Sequence, residues 1–256
     1  MRHVLGLIVC LGVLIGPIAT TTAQEGAAGT EPAAKKLRVL VTYGGHKFEE
    51  PEMYAMLDEL PGIEYDKAEV PKEADLFKPG LEAKYDVILM YDMNPGFSRE
   101  QQMAFAELLS QGIGLVSWHH NINAHRNWEE WRHIVGGVYI PKDTVIDGVS
   151  YTKTPWAHDQ KLKVQVVDAK HPITRGVEDF EIEDETYGKY YVSPKSRVLL
   201  KTDHPQNNPE ICWTNKYHKS RVVFLQLGHD HKAWDHPMFR KLLGQSLTWA
   251  AGKKGE

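Results

Sequence analysis

The stretch RVVFLQLGHDHKAW, residues 221–234, decides the fold. Val222 to Leu227 is an almost unbroken apolar run, the pattern of a strand covered on both faces, as in parallel sheets flanked by helices. It empties through Gly228 into three ionisable residues, His229, Asp230 and His231. Ligands of such sheets bind beyond the carboxyl ends of the strands. Chemistry is therefore expected where this run stops.

Two further runs end the same way: Leu37 to Tyr43 leads into Gly44-Gly45-His46, and Ile113 to Trp118 into His119-His120. Between them, Met53, Met56, Leu57 and Leu60 fall at i, i+3, i+4 and i+7, one face of a helix that Pro61-Gly62 stops. Ile63 to Val70 reads as a short strand, Lys72 to Lys84 as a polar connection, and Tyr85 to Tyr91 as a strand closing on Asp92. Ser98 with Gln101 makes a capping box for a helix that turns Phe105, Leu108 and Leu109 inward and ends at Gly112. Asn127 with Glu130 is expected to cap another, carrying Trp128, Trp131, Ile134 and Val135 up to Gly136-Gly137. This strand, helix, strand rhythm predicts parallel crossovers and a layered α/β sandwich with a mainly parallel central sheet. From Val138 to Tyr217 the pattern becomes alternating, with Val164 and Val166 set against Lys163 and Gln165, which predicts antiparallel strands or irregular structure extending the sheet's edge. Pro237 opens a last helix that buries Phe239, Leu242, Leu243, Leu247 and Trp249 before Gly252.

Arg2 and His3 precede the apolar run Val4 to Ile18, and Thr21-Thr22-Ala23 offers small residues for cleavage. Residues 1–23 thus read as a signal peptide, 24–36 as a flexible lead-in and 37–252 as one domain. The chain is expected to be exported, to the periplasm or the exterior, with no membrane insertion once the signal is removed. Cleavage takes Arg2 and leaves 29 basic against 34 acidic side chains, a net −5 from the −4 of the whole chain. That mild acidity does not suit nucleic acid as a partner. Cys10 leaves with the signal, so Cys212 has no partner for a disulfide, and inside Ile211-Cys212-Trp213 it reads as a buried thiol. No Gly-x-Ser-x-Gly elbow, phosphate-cradling loop or dinucleotide fingerprint is present.

On a parallel sheet His46, His119, His120, His229 and His231 leave from one edge. Three imidazoles with a carboxylate from Asp184, Glu185 or Asp230 suit a divalent metal such as zinc, with room for water. Without metal, the same imidazoles work as general acids and bases, or simply cap polar loops. Adjacent carboxylates in Glu183-Asp184-Glu185 raise each other's pKa, so one can donate a proton; a solvated acidic face is the plain alternative. Trp118, Trp128, Trp131, Tyr187, Tyr190, Tyr191, Trp213 and Trp234 offer aromatic faces for sugar rings, although packing is their commoner use.

The chain resembles the ThuA-like (trehalose utilisation) family, which is similar in fold to the class I glutamine amidotransferases. The likeness is carried by the first strand into Gly45-His46, by LVSWHH at 115–120, by Trp128 with Val135-Gly136-Gly137, and by His171-Pro172-Ile173-Thr174. It continues through Asp184-Glu185 with Tyr187, Trp213, Arg221-Val222 and Gly228-His229-Asp230, so it spans almost all of the chain after the signal. The resemblance implies a flavodoxin-like three-layer sandwich and a role in carbohydrate metabolism, with relatives tied to disaccharide use and to 3-keto-sugars made by a partner oxidoreductase. Amidotransferase activity is not implied, because Trp118-His119-His120 stand where a cysteine nucleophile is needed. The resemblance puts the site at His46, His119, Asp184, Glu185, His229 and Asp230; spacing adds His120 and His231.

The resulting expectation is an enzyme cleaving or modifying a glycoside or 3-keto-sugar, by hydrolysis or by elimination and hydration. His46, His119 and His229 are its metal ligands, Asp184, Glu185, His120 and Asp230 its proton-handling groups, and Trp118, Tyr187 and Trp234 its substrate contacts. The alternative is a noncatalytic carbohydrate-binding or scaffold module.

Overall fold

The computed structural model describes residues 35–93 and 96–252, with four isolated positions before them, Met1, His3, Gly6 and Gly12. Nearly all of the expected signal segment and of the lead-in, and the tail 253–256, lie outside the described residues.

In chain order the regular elements are β1 (Leu37–Tyr43), α1 (Glu50–Asp58), β2 (Ile63–Glu69), β3 (Val87–Met90), α2 (Arg99–Gln111), β4 (Gly114–Trp118), α3 (Glu129–Val135), β5 (Gly137–Val138), β6 (Thr144–Ile146) and β7 (Val149–Tyr151). They continue with β8 (Trp156–Val166), β9 (Phe180–Tyr187), β10 (Tyr191–Val192), β11 (Arg197–Thr202), β12 (Glu210–Tyr217), β13 (Ser220–Leu225), α4 (His231–Trp234) and α5 (Pro237–Ala250). Nine strands form one sheet in the order β2-β1-β3-β4-β13-β12-β11-β8-β9. The pairings from β2 to β13 are all parallel. That half has the flavodoxin-like order, and its carboxyl edge is where such folds bind ligands.

Successive residues of the parallel strands point to opposite faces, and each face meets its own helices. Val39, Val41, Leu89, Val116 and Val223 pack with Met53 and Leu57 of α1 and Leu242 and Leu243 of α5. Leu40, Ile88, Leu115, Val222 and Phe224 pack with Phe105 and Leu108 of α2 and Trp131 and Ile134 of α3. Three layers result, as expected. Helix α2 opens on the capping box, with Ser98 N–H donating to Gln101 Oε1 at 2.9 Å and Gln101 N–H to Ser98 Oγ at 3.3 Å. The cap expected at Asn127 does not form: Trp128 holds the N-cap position of α3 without a side-chain bond, and Asn127 Nδ2 reaches back to the Phe97 carbonyl at 3.4 Å. Trp249 is only partly buried, lying under the Arg221 guanidinium 5.4 Å away. Cys212 is fully buried, which pushes its thiol far above the usual range.

The alternating segment does extend the sheet. Strands β12, β11, β8 and β9 each pair antiparallel with their neighbour. Four reversals return β9 to the direction of β13, so both end at the same edge. On a flat sheet four strand spacings would separate them by about 19 Å. Instead Asp184 Oδ2 of β9 lies 2.7 Å from the Gly228 N–H that follows β13. The extension therefore curls back over the carboxyl edge, helped by register shifts within β8 and β11 that bend the strands. Among the described residues no helix is long and apolar enough to cross a membrane.

Candidate functional site

Strand β4 ends by turning His119 into the left-handed region, at φ 52°, a conformation that is rare and costly for a residue with a side chain. The buried ring is held on both sides. Nδ1 donates to the Gln226 carbonyl, which accepts only, so in the neutral ring Nε2 keeps its lone pair. That nitrogen faces Glu185 Oε2 at 3.1 Å, the Tyr187 hydroxyl at 3.2 Å and His229 Nδ1 at 3.3 Å. His229 Nδ1 is also 3.3 Å from Glu185 Oε2. His119, Glu185 and His229 thus bring three ligand atoms together, a group able to hold a metal ion.

Burial works against ionisation of Glu185, yet the contacts with His119 and His229, and the hydrogen bond from the Tyr187 hydroxyl at 2.6 Å, outweigh it and hold the carboxyl far below the usual range. Burial likewise works against the His229 cation, and Glu185 more than compensates, raising that pKa. Behind the cluster Gln226 Nε2 donates to Asn207 Oδ1 at 2.8 Å, and Tyr190 and Asn207 both donate to Gln226 Oε1 at 3.0 Å. This buried amide network fixes the carbonyl that orients His119.

The other expected residues take different positions. His46, brought round by Gly44 (φ 122°), is exposed and outside the three-atom group, its ring 4.7 Å from that of His120 and 6.5 Å from that of His229. A Cβ at Gly44 would stand 2.3 Å from the Val70 carbonyl oxygen, so this turn requires glycine. His46 has a lowered pKa, first through burial and then through the neighbouring His229 and His119; the ring has water on one side and protein on the other. Glu185, read from the sequence as a proton-handling group or as the carboxylate beside the imidazoles, completes the three-atom group from which His46 is absent. His120 is buried; its Nε2 donates to the Tyr91 carbonyl at 2.6 Å, Nδ1 has no partner among the described residues, and burial, then His119 and His46, keep the ring neutral.

Asp184 spends both oxygens on backbone. Oδ1 accepts from Glu185 N–H at 2.8 Å and His229 N–H at 3.0 Å, and Oδ2 from Gly228 N–H. It positions the loop that carries His229. Asp230 caps α4 through Lys232 N–H at 3.0 Å. His231 turns to the surface and pairs with Glu49 at 2.8 Å. Trp118 and Trp234 are buried tie-bars rather than sugar platforms: their N–H groups donate to the Leu227 carbonyl at 2.9 Å and the Gly228 carbonyl at 2.8 Å. Tyr187 joins the cluster through its hydroxyl, not as an open face.

His158 was not foreseen. Its ring centroid is 4.5 Å from that of His229, and its Nδ1 is 3.7 Å from Glu185 Oε1. It lies where β8 enters the edge rather than leaves it, and the only sequence signal was the antiparallel alternation. A cavity of about 510 Å³ between α3 and the β6–β7 hairpin, lined by His125, Trp128, Trp131 and Tyr139, contains none of the cluster residues.

Fold and site define a flavodoxin-like α/β protein with a histidine and carboxylate group at the strand edge. The chain belongs to the ThuA family, described as trehalose utilisation, whose signature matches residues 38–250. It is similar to a ThuA-like protein from Parabacteroides merdae at TM-score 0.70 and 20% identity, over 87% of this chain and 92% of that one. A ThuA-like protein from Bacteroides uniformis matches at 0.66 and 19%, over 90% and 97%. A β-galactosidase from Bacillus circulans sp. alkalophilus shares the fold at 0.56 and 14%, over 85% of this chain and 31% of that larger one. Comparison with curated protein sequences gives no match.

Proposed function

We propose that the chain is an exported enzyme of carbohydrate utilisation that cleaves or modifies a glycoside or 3-keto-sugar, with a divalent metal such as zinc held by His119, Glu185 and His229. The observation that carries this reading is the triangle of ligand atoms, with edges of 3.1, 3.3 and 3.3 Å. Ligands about 2.0–2.1 Å from a tetrahedral zinc stand roughly 3.3 Å apart, so the triangle has the size of one tetrahedral face with a position open beyond it. His119 also gives its far N–H to a carbonyl, as metal-bound imidazoles do. Bound there, the ion supplies Lewis-acid polarisation of a substrate oxygen.

The protein's own groups handle the protons. A ketone at C3 acidifies the C2 hydrogen; a base takes that proton, the C2 electron pair forms the C1–C2 double bond, and the C1–O bond breaks. The departing oxygen takes up a proton, and water then adds across the double bond. His46, beside the cluster and open to solvent, is the base, and the Tyr187 hydroxyl and His158 are the nearest donors for the leaving oxygen. The keto-sugar is supplied by an oxidoreductase acting earlier. The noncatalytic alternative is weakened by the burial of Trp118, Trp131, Trp213 and Trp234 and of Tyr187, Tyr190 and Tyr191, which removes most of the aromatic faces it relied on.

Metal analysis of the purified chain, with His119→Ala, His229→Ala and Glu185→Gln assayed on 3-keto-disaccharides and their parent glycosides, tests the proposal. The variants are expected to lose metal and turnover together. Full activity in all three sinks the catalytic assignment, and wild-type activity undiminished after chelation sinks the metal.

A further inference from the structure

We propose that Trp156, with His158 beside it, is the platform that receives a pyranose ring at the mouth of the cluster. This rests on the reading of the cluster as a carbohydrate site and adds how the substrate is held there. Trp156 opens β8 and pairs in register with Tyr187 at the end of β9. Residues directly opposite on antiparallel strands share a face. Tyr187 sends its hydroxyl to Glu185 Oε2, so the indole of Trp156 lies on the side of the sheet that carries the cluster.

The rings form a path inward from solvent. Trp156 lies 5.0 Å from His158, His158 4.5 Å from His229, and His229 5.2 Å from His119. Exposure falls along the same path: 55% for Trp156, 46% for the His158 side chain, 19% for His229 and none for His119. The cluster therefore meets water on this side. A register shift follows Ala157, and Asp159 adopts φ 56°. Such bulges re-aim side chains next to sites.

Trp156 differs from the buried indoles. Trp118, Trp213 and Trp234 each donate to a backbone carbonyl and tie elements together, whereas the indole N–H of Trp156 makes no hydrogen bond among the described residues and the residue leaves half its surface in water. A ligand site combines apolar ring surface with a few convergent polar groups. Here the indole offers a face to the C–H side of a sugar, and His158 with His229 offers hydrogen bonds to its hydroxyls.

The test uses the full chain with trehalose, 3-keto-trehalose and glucose as probes. Trp156→Ala is expected to raise KM roughly tenfold, the scale of a lost aromatic contact, while kcat moves by about twofold or less, the pattern of uniform binding. Trp156→Phe recovers most of the loss, and metal content stays at the wild-type level in both. Sugar is also expected to shield tryptophan emission from acrylamide in the wild type but not in Trp156→Phe. Unchanged KM and unchanged shielding in Trp156→Ala overturn the platform. Should the wild type turn over none of the probes, the catalytic reading falls, and calorimetric binding decides the platform alone: affinity lost in Trp156→Ala supports it, and no wild-type binding at millimolar sugar overturns it.

Discussion

Replacing Asp184 by Asn preserves the shape of the side chain and exchanges one acceptor oxygen for an NH2 donor. The native carboxylate is 3% exposed and accepts from Glu185, His229 and Gly228 N–H groups at 2.8, 3.0 and 2.7 Å. An Asn carbonyl can serve the first two, which turns its NH2 toward the Gly228 N–H. A hydrogen bond to a charged group contributes about 1.5–3 kcal/mol, and a stranded buried donor costs about 1–3 kcal/mol. Burial already raises the pKa of Asp184, so a neutral residue recovers part of that cost, and the net loss is about 2–4 kcal/mol. The loop has no slack: Gly228 sits at φ 109°, and a Cβ there would lie 2.4 Å from Trp118 Nε1. Urea unfolding at neutral pH should show a lower midpoint. Zinc competition should show metal affinity weakened roughly 10- to 100-fold, as when other outer partners of a ligand are removed. A variant with the wild-type midpoint and wild-type zinc affinity refutes the claim that this carboxylate holds the His229 loop.

Burial of His125 drives its pKa down to about 3, against about 6.5 unfolded. The folded state rejects the proton, so this contribution is complete above pH 6.5 and is lost as pH falls toward 3, by about 2 kcal/mol at pH 5; His125→Phe should flatten that dependence in urea melts at pH 7 and 5, and an unaltered slope counts against it. Gly228→Ala meets Trp118 and Phe239 at 2.4 and 2.7 Å as well as a positive φ, so a loss of about 3 kcal/mol or more is expected in thermal melts, and a native melting temperature argues against the crowding. His231→Gln removes a surface pair with Glu49, worth under about 1 kcal/mol; the proposed activity on 3-keto-sugars should be the same in this variant as in the wild type, and its selective loss would return His231 to the site.

The parallel half was legible because β1, β3, β4 and β13 are largely apolar runs, and β1, β4 and β13 lead into glycine or histidine. His119 and His229 were placed correctly at one edge by that reasoning. Glu185 was visible as a residue and as part of a family likeness, but its contact with His119 depends on a curl spanning four strands, which no local periodicity encodes. The same non-locality hid His158 and Trp156, since an antiparallel strand brings residues to the edge at its start. Trp118 and Trp234 were misjudged because a tryptophan at a strand end can face either a ligand or the carbonyls of the next loop; here Leu227 and Gly228 supplied those carbonyls. Asn127 failed as a cap because its amide is drawn to the Phe97 carbonyl.

The curl also bears on cohesion. His119 lies 66 residues from Glu185 and 110 from His229, and Cys212, a free thiol, offers no covalent tie. An ion gripping these three side chains would act as a reversible cross-link, closing loops that the unfolded chain leaves open. Its binding free energy would add to the resistance to unfolding, by about 2.7 kcal/mol when the free ion is at one hundred times its Kd. Ion supply would then set the lifetime of the fold as well as the readiness of the site, and starving the protein of metal would loosen first the seam where β9 meets the end of β13.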